Sequence, residues 1–369
     1  MDEVILFSVY FPFLLATLLG WLFIPRVLIL SHRKRLFDMP DERKTHDSPV
    51  PRLGGITFLP ILLICVCMMA GIWVNRGMPF QIYGLDTIVI RFVLLFVGMM
   101  ILYLVGVVDD LIGVSYQPKF LAQITSAIFF PLSGLWIHDL SGLFWLHEIP
   151  AWVGIPLTVF VVVYVTNAIN LIDGVDGLAA GICFVAFLTL GLAARGQYIL
   201  MIVAFGMLGI LLPFWAYNVF GNIEKGHKIF MGDTGSLTLG YLVSFFLIYM
   251  ASGSGVDFPR EMLIIGLSTM AVPMFDIVRV VMARIRNHRN PFLPDKNHIH
   301  HKLLRTGISP RWVMLILVLV SLSIILVTKW CVDLRIGTTW IFLIDVGIWL
   351  VFDYTVNYFI HNNHRLRYE

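Results

Sequence analysis

An all-α fold, a polytopic integral membrane helical bundle of about 11 transmembrane helices, is what this sequence predicts, on three observations. Of its 369 residues, 59% are hydrophobic and 13% charged, and the mean hydropathy is +0.86. A soluble domain carries roughly 45–50% apolar and about 25% charged residues. The apolar residues fall in repeated runs of ~20, which match a ~30 Å hydrocarbon core at 1.5 Å per helical residue. The cationic residues, finally, collect in alternate loops, as they do in a chain threaded through a bilayer. A β-barrel would alternate polar and apolar residues along each strand, and these runs do not.

The spans follow in order at 4–30, 54–74, 87–108, 119–137, 151–168, 177–194, 198–216, 234–251, 261–284, 312–330 and 337–360. The first begins with Asp2 and Glu3 where a signal peptide would have a basic leader, and no small-residue cleavage site follows it. Of the 26 Lys and Arg residues, 20 fall on the side that holds the loops 31–53, 109–118, 169–176, 217–233 and 285–311 and the tail 361–369. The other six are Arg76, Arg91, Arg195, Arg260, Lys329 and Arg335. The N-terminus is therefore expected outside and the C-terminus in the cytoplasm, as an odd number of spans requires. The net charge of +3 says little by comparison. The four cysteines form no Cys-x-x-Cys pair and imply neither a disulfide framework nor a thiolate zinc site. Residues 1–369 read as a single transmembrane domain.

Chemistry is concentrated in the cytoplasmic loops. Asp109-Asp110 closes the third span, and adjacent carboxylates at a membrane boundary repel unless a cation relieves them. Solvated helix-end acids are the plain alternative. Lys119, in the same stretch, offers a point charge for phosphate. In the run from Asn167 to Leu178, Asn170 and Asp173 share a face if the turn is helical, while Gly174 and Gly177 allow backbone to approach a ligand. Asp176 adds a further acid. Polar residues of this kind between apolar spans are costly unless used. From Lys228 to Ser236, Asp233 is a hard oxygen ligand suited to Mg²⁺. Gly232, Gly235 and Ser236 resemble a phosphate-cradling turn, and Phe230 is either a base-stacking ring or an interface anchor. The last loop holds His298, His300 and His301 among basic residues, which suits phosphate or sugar oxygens better than zinc. Lys44, His46 and Arg52 precede Gly54-Gly55 in the first loop. Acids for a divalent cation, bases for phosphate, an aromatic and glycines at one membrane face form a kit for phosphoryl transfer.

At these residues the sequence resembles the polyprenyl-phosphate N-acetylhexosamine-1-phosphate transferases, a family related to the muramyl-pentapeptide translocase. The similarity runs in motif order from about Lys44 to Lys302, and its specificity lies in the combination of Asp109-Asp110, Asn167–Leu178, Phe230–Ser236 and His298–His301. It implies an all-α bundle with a cytoplasmic cleft in the bacterial inner membrane. Asn170 and Asp233 match Mg²⁺-holding positions, with Mn²⁺ as a substitute. Asp109 and Asp110 match the essential pair near the lipid phosphate, and with Asp173 they are the candidate catalytic carboxylates. Lys119 matches a diphosphate-contacting lysine, Phe230 a uracil-stacking aromatic, and Asp173 and Asp176 acids lining the nucleotide-sugar site. Lys44, His46 and the three histidines complete the expected substrate-binding set. The muramyl-pentapeptide branch resembles His-His-His followed by an acid; here Pro294-Asp295 precedes His298-Ile299-His300-His301-Lys302, the pattern of the simple-sugar branch. UDP-N-acetylglucosamine is the implied donor and undecaprenyl phosphate the acceptor. Another UDP-N-acetyl-aminosugar is the alternative, and a cation-coupled transporter the rival from a different class. The implied partners are these two substrates and the bilayer, with a homodimer admissible and no nucleic acid. Asp345 in the last span is given no role, and Asp276 and Arg279, three apart, read as an intramembrane pair.

Overall fold

The structure, a computed structural model, describes residues 2–37, 49–76, 85–252, 258–290 and 296–362. Among these, the chain is α-helical, with thirteen α-helices and no strand longer than an isolated bridge such as Asp139–Glu148. They are α1 (Asp2–Lys34), α2 (Phe58–Asn75), α3 (Leu85–Ile112), α4 (Tyr116–Leu132), α5 (Ala151–Ile172), α6 (Leu178–Ala193), α7 (Tyr198–Phe220), α8 (Gly232–Ala251), α9 (Met262–Thr269), α10 (Ala271–Arg286), α11 (Ile299–Arg305), α12 (Pro310–Asp333) and α13 (Thr338–Asn362). Eight are long and apolar enough to cross a membrane, or nine if α9 and α10 form one broken span. The chain is thus a multi-pass membrane protein. The two further spans expected from the sequence fall on α4 and α6, which have 17 and 16 residues. Both are short of the ~20 that a straight crossing takes.

The bundle is built around α8. All its residues from Gly232 to Met250 are buried, so this helix has no lipid-facing side. It packs against α3, α5 and α9, and against a 3-10 turn at Gly54–Thr57. Small residues bring the backbones together, as they do where helices associate in lipid. A Cβ on Gly106 of α3 would lie 2.5 Å from Thr234 Cα, and one on Gly55 would lie 2.2 Å from the Gly235 nitrogen. Polar groups inside the bundle are paired in turn: Tyr241 Oη donates to the Ser126 carbonyl at 2.8 Å, and Ser126 Oγ to that of Gly98 at 3.0 Å. The most extensive helix pairing, α1 on α7, is locked by Thr17 Oγ1, 3.1 Å from the Gly209 carbonyl.

One expected span is broken. Between α9 and α10 the axis turns by 68° at Met270. Pro273 accounts for the break, since it has no N–H for the Thr269 carbonyl and its ring crowds that group. Up-and-down threading then brings the ends of α3, α5, α7 and α10 and the starts of α4, α6, α8 and α11 together. Every motif residue that the structure describes lies at this end.

Candidate active site

Three carboxylates form the centre. Asp109, Asp110 and Asp233 can each direct an oxygen to a region in which all three lie within 4.8 Å of one another. Asp109 is fixed by the N–H of Val114, which donates to Oδ1 at 2.7 Å. Lys119, at the start of α4, extends its ammonium between two of the acids, 2.8 Å from Asp233 Oδ2 and 3.3 Å from Asp109 Oδ1. Arg52 stands 3.6 Å from the other Asp233 oxygen. A cation therefore already bridges Asp109 and Asp233.

Asp110 is placed differently from its neighbour. Its Oδ1 accepts the Asp233 N–H at 2.8 Å, and its Oδ2 accepts the Thr234 N–H at 3.0 Å and the Thr234 hydroxyl at 2.6 Å. It caps the start of α8, where free N–H groups and the helix dipole favour a negative charge. This corrects the expectation of a phosphate-cradling turn at Gly232–Ser236. Two of the leading N–H groups of α8, those of Asp233 and Thr234, are taken by Asp110, and Gly235 is a packing contact with Gly55. Gly232 itself has φ +70°, and a Cβ there would lie 2.4 Å from Asp110 Oδ2, so the cap requires glycine.

Around this centre, Asn170 on the last turn of α5 donates to Ser236 Oγ at 2.9 Å, one turn along α8 from Asp233. Asp173 terminates α5 and is half-buried. Burial, with the charges of Asp233 and Asp176 adding to it, pushes its carboxyl well above the usual range, and Arg52 opposes them. Asp176 pairs with Lys228. Asn218 joins the two loops: its amide oxygen accepts the Gly177 N–H and its amide nitrogen donates to the Ile229 carbonyl at 2.8 Å. Phe230 lies half-buried in the loop before α8, whose backbone is bonded to the first loop through Pro51 and Gly54.

The histidines sit beside Asp173 and not at the carboxylate centre. His300 is buried, and a Cβ on Gly174 would strike its Nε2 at 2.4 Å, so the ring rests directly on the turn after Asp173. The His300 ring is parallel to that of His298, centroids 5.9 Å apart, and lies 4.2 Å from that of His301. Burial holds His300 down at about 3 and His301 at about 4, so both are neutral near pH 7. Nδ1 of His298 donates to Asp276 Oδ2 at 2.7 Å, while the other oxygen takes the Ile299 N–H at 3.0 Å and Arg279 at 2.7 Å. Asp276 and Arg279 are thus a pair, as expected, and also the seat of the histidine segment. Asp345, given no role by the sequence, accepts the Thr328 hydroxyl of α12 at 2.9 Å. Lys44 and His46 lie outside the described residues. Asn218 stands outside the motifs, and its one sequence signal is an amide in an apolar span, which is a signal of use.

The fold and the site define a helical membrane bundle with carboxylates, cations and an amide converging at one end. The family described as Glycosyl transferase family 4 matches residues 92–251, from α3 through the end of α8. The chain is 32% identical over 318 residues, 85% of its length and 82% of the relative, to a protein of Bacillus subtilis (strain 168) named "Probable undecaprenyl-phosphate N-acetylglucosaminyl 1-phosphate transferase". It is 28% identical over 313 residues, 82% of this chain and 78% of the other, to the undecaprenyl-phosphate alpha-N-acetylglucosaminyl 1-phosphate transferase of Yersinia pestis. The Escherichia coli (strain K12) protein of that name is 29% identical over 290 residues, 78% of this chain and 74% of its own. The chain belongs to the polyprenyl-phosphate N-acetylhexosamine-1-phosphate transferase family.

Proposed function

We propose that this protein transfers N-acetylglucosamine-1-phosphate from UDP-N-acetylglucosamine to undecaprenyl phosphate and releases UMP, the first step of a cell-surface glycan. The observation that carries the reading is the Asp109–Lys119–Asp233 cluster beside Asn170 and Asp173, in a chain whose relatives bear that activity in their names. An oxygen of the lipid phosphate attacks the sugar-linked β-phosphorus. The bond from that phosphorus to the bridging oxygen breaks, and UMP leaves with the electron pair. The lipid phosphate is largely ionised near pH 7, so the protein's task is to position two anions and offset their charge. Lys119 and Arg52 supply fixed positive charge, and Asp109 orients the acceptor. Asp110 holds α8 in register with α3 and so sets where Asp233 stands.

The donor set fits Mg²⁺. Asp109 and Asp233 already share one cation, and carboxylate and amide oxygens are hard ligands of the type this ion takes. Asp233, Asn170 and Asp109 would hold it, and when bound it would neutralise charge developing on the diphosphate. Mn²⁺ is expected to substitute. His298, His300, His301 and Asp176 flank the donor side, with Phe230 as the base-stacking ring. The lysine and arginine distribution supports eleven spans in the bacterial inner membrane, α4 and α6 included, with the N-terminus outside and the site facing the cytoplasm. A transporter would place its working acids at mid-bundle; here the motif carboxylates Asp109, Asp110, Asp173, Asp176 and Asp233 lie at one end.

The test is UMP release by purified protein in detergent with undecaprenyl phosphate, Mg²⁺ and a panel of UDP-sugars. Release from UDP-N-acetylglucosamine that stops on chelation is expected. Preference for another UDP-aminosugar would change the donor, and no release from any of them would remove the reading.

A further inference from the structure

The histidine segment is held from behind by the last helix. Lys302, directly after His301, donates to Asp353 Oδ1 at 2.8 Å and to Asn357 Oδ1 at 2.9 Å, both on α13. The same Asp353 oxygen lies 3.4 Å from Arg279 Nε. Asn357 in turn donates to Asp353 Oδ2 at 3.0 Å, one helical turn away, and so fixes the rotamer of the carboxylate. Arg279 is the residue that, through Asp276, seats His298 and the start of α11. Asp353 is therefore the point at which the last span meets two of the cations near the histidines, Arg279 and Lys302. Its side chain is 15% exposed, and those of Lys302 and Arg279 are 14% and 16% exposed. Removing one partner of a pair this secluded strands the other charge where water solvates it poorly.

We propose that Asp353 is a positioning residue for the donor side of the site. It couples α13 to α11 and α10 and thereby holds His298, His300 and His301 against the Asp173–Gly174 turn. The proposal rests on the donor reading given above. It does not involve the Asp109–Asp233 centre, where the lipid phosphate is expected.

Asp353→Ala should raise the KM for UDP-N-acetylglucosamine about ten- to a hundredfold, on the scale of a lost charge-assisted hydrogen bond. The KM for undecaprenyl phosphate should stay within about twofold, and Asp353→Glu should recover most of the loss. Asn357→Ala, which removes a weaker acceptor, should give a smaller shift in the same direction and serves if the alanine variant at 353 does not fold. Hydrogen exchange over residues 297–305 should accelerate in both alanine variants whatever the sugar donor is. Faster exchange with no turnover of UDP-N-acetylglucosamine by the wild type would retain the positioning role and remove the donor reading. Unchanged exchange, or equal changes in both KM values, would overturn the proposal.

Discussion

Asp233 and Asp110 lie in hydrogen-bond contact yet differ in what surrounds them, and substitution should separate them. Asp233 faces Lys119 and Arg52, so Asp233→Asn keeps the shape and removes the charge that balances them. Transfer should fall by about 10²–10³-fold or more, the loss of several kcal/mol of transition-state stabilisation. Steady-state turnover at saturating Mg²⁺ checks this, and wild-type turnover would take Asp233 out of the site. Phe230→Ala should raise the UDP-sugar KM roughly 5- to 150-fold by loss of base stacking, while Phe230→Trp retains most affinity. If only the protein yield falls and the donor KM does not move, the ring is an anchor. Which residues stand at this end was legible because carboxylates and asparagines closing apolar runs are conspicuous. Their division of labour was not. Asp110 differs from Asp109 through its bonds to Asp233 and Thr234, 123 and 124 residues further on, and no local pattern announces them.

At the scale of the helix, Asp110 is the start of α8, and its loss should be felt as stability. Asp110→Ala leaves the Asp233 and Thr234 N–H groups without a partner, a cost of about 1–3 kcal/mol. Thermal unfolding in detergent should show a lower midpoint, with Asp110→Asn between the two, and an unmoved midpoint would count against the cap. Most helices were legible from apolar runs alone, because a bilayer fixes their length. The exceptions have local causes. The ninth span reads as continuous, yet Pro273 divides it at Met270. The fourth begins with Tyr116, Gln117 and Lys119 and ends by Leu132, so its 17 residues include a turn that belongs to the site.

For the molecule as a whole, sidedness and acid response are the measurable consequences. In a cysteine-free background, cysteines placed at Gly226 and Asn297 should resist impermeant thiol reagents applied to intact cells, and one at Ser141 should react. Labelling of the Asn297 position from outside would invert the orientation. The acid response follows from His300 and His301, whose folded-state values of about 3 and about 4 lie below the ordinary 6.5. As pH falls below about 6.5, the unfolded chain takes up protons that the folded chain refuses. The stability that these two histidines contribute is therefore complete above about 6.5 and is lost toward pH 4, and His300→Phe should remove its share of that loss in melting temperatures taken across the range. A slope unchanged by the substitution would place the acid lability elsewhere.

The enclosure of α8 also bears on how the chain is made. Asp233, Thr234, Ser236, Thr238 and Ser244 make this helix a weaker signal for insertion into the bilayer than α3 or α7. The groups that satisfy its polar start, above all Asp110 of α3 and Asn170 of α5, lie earlier in the chain and leave the ribosome first. Order of synthesis thus sets a receptive niche in the membrane before the helix that needs it emerges. A rearranged gene that delivered α8 ahead of α3 and α5 would present the translocon with a polar segment and no host.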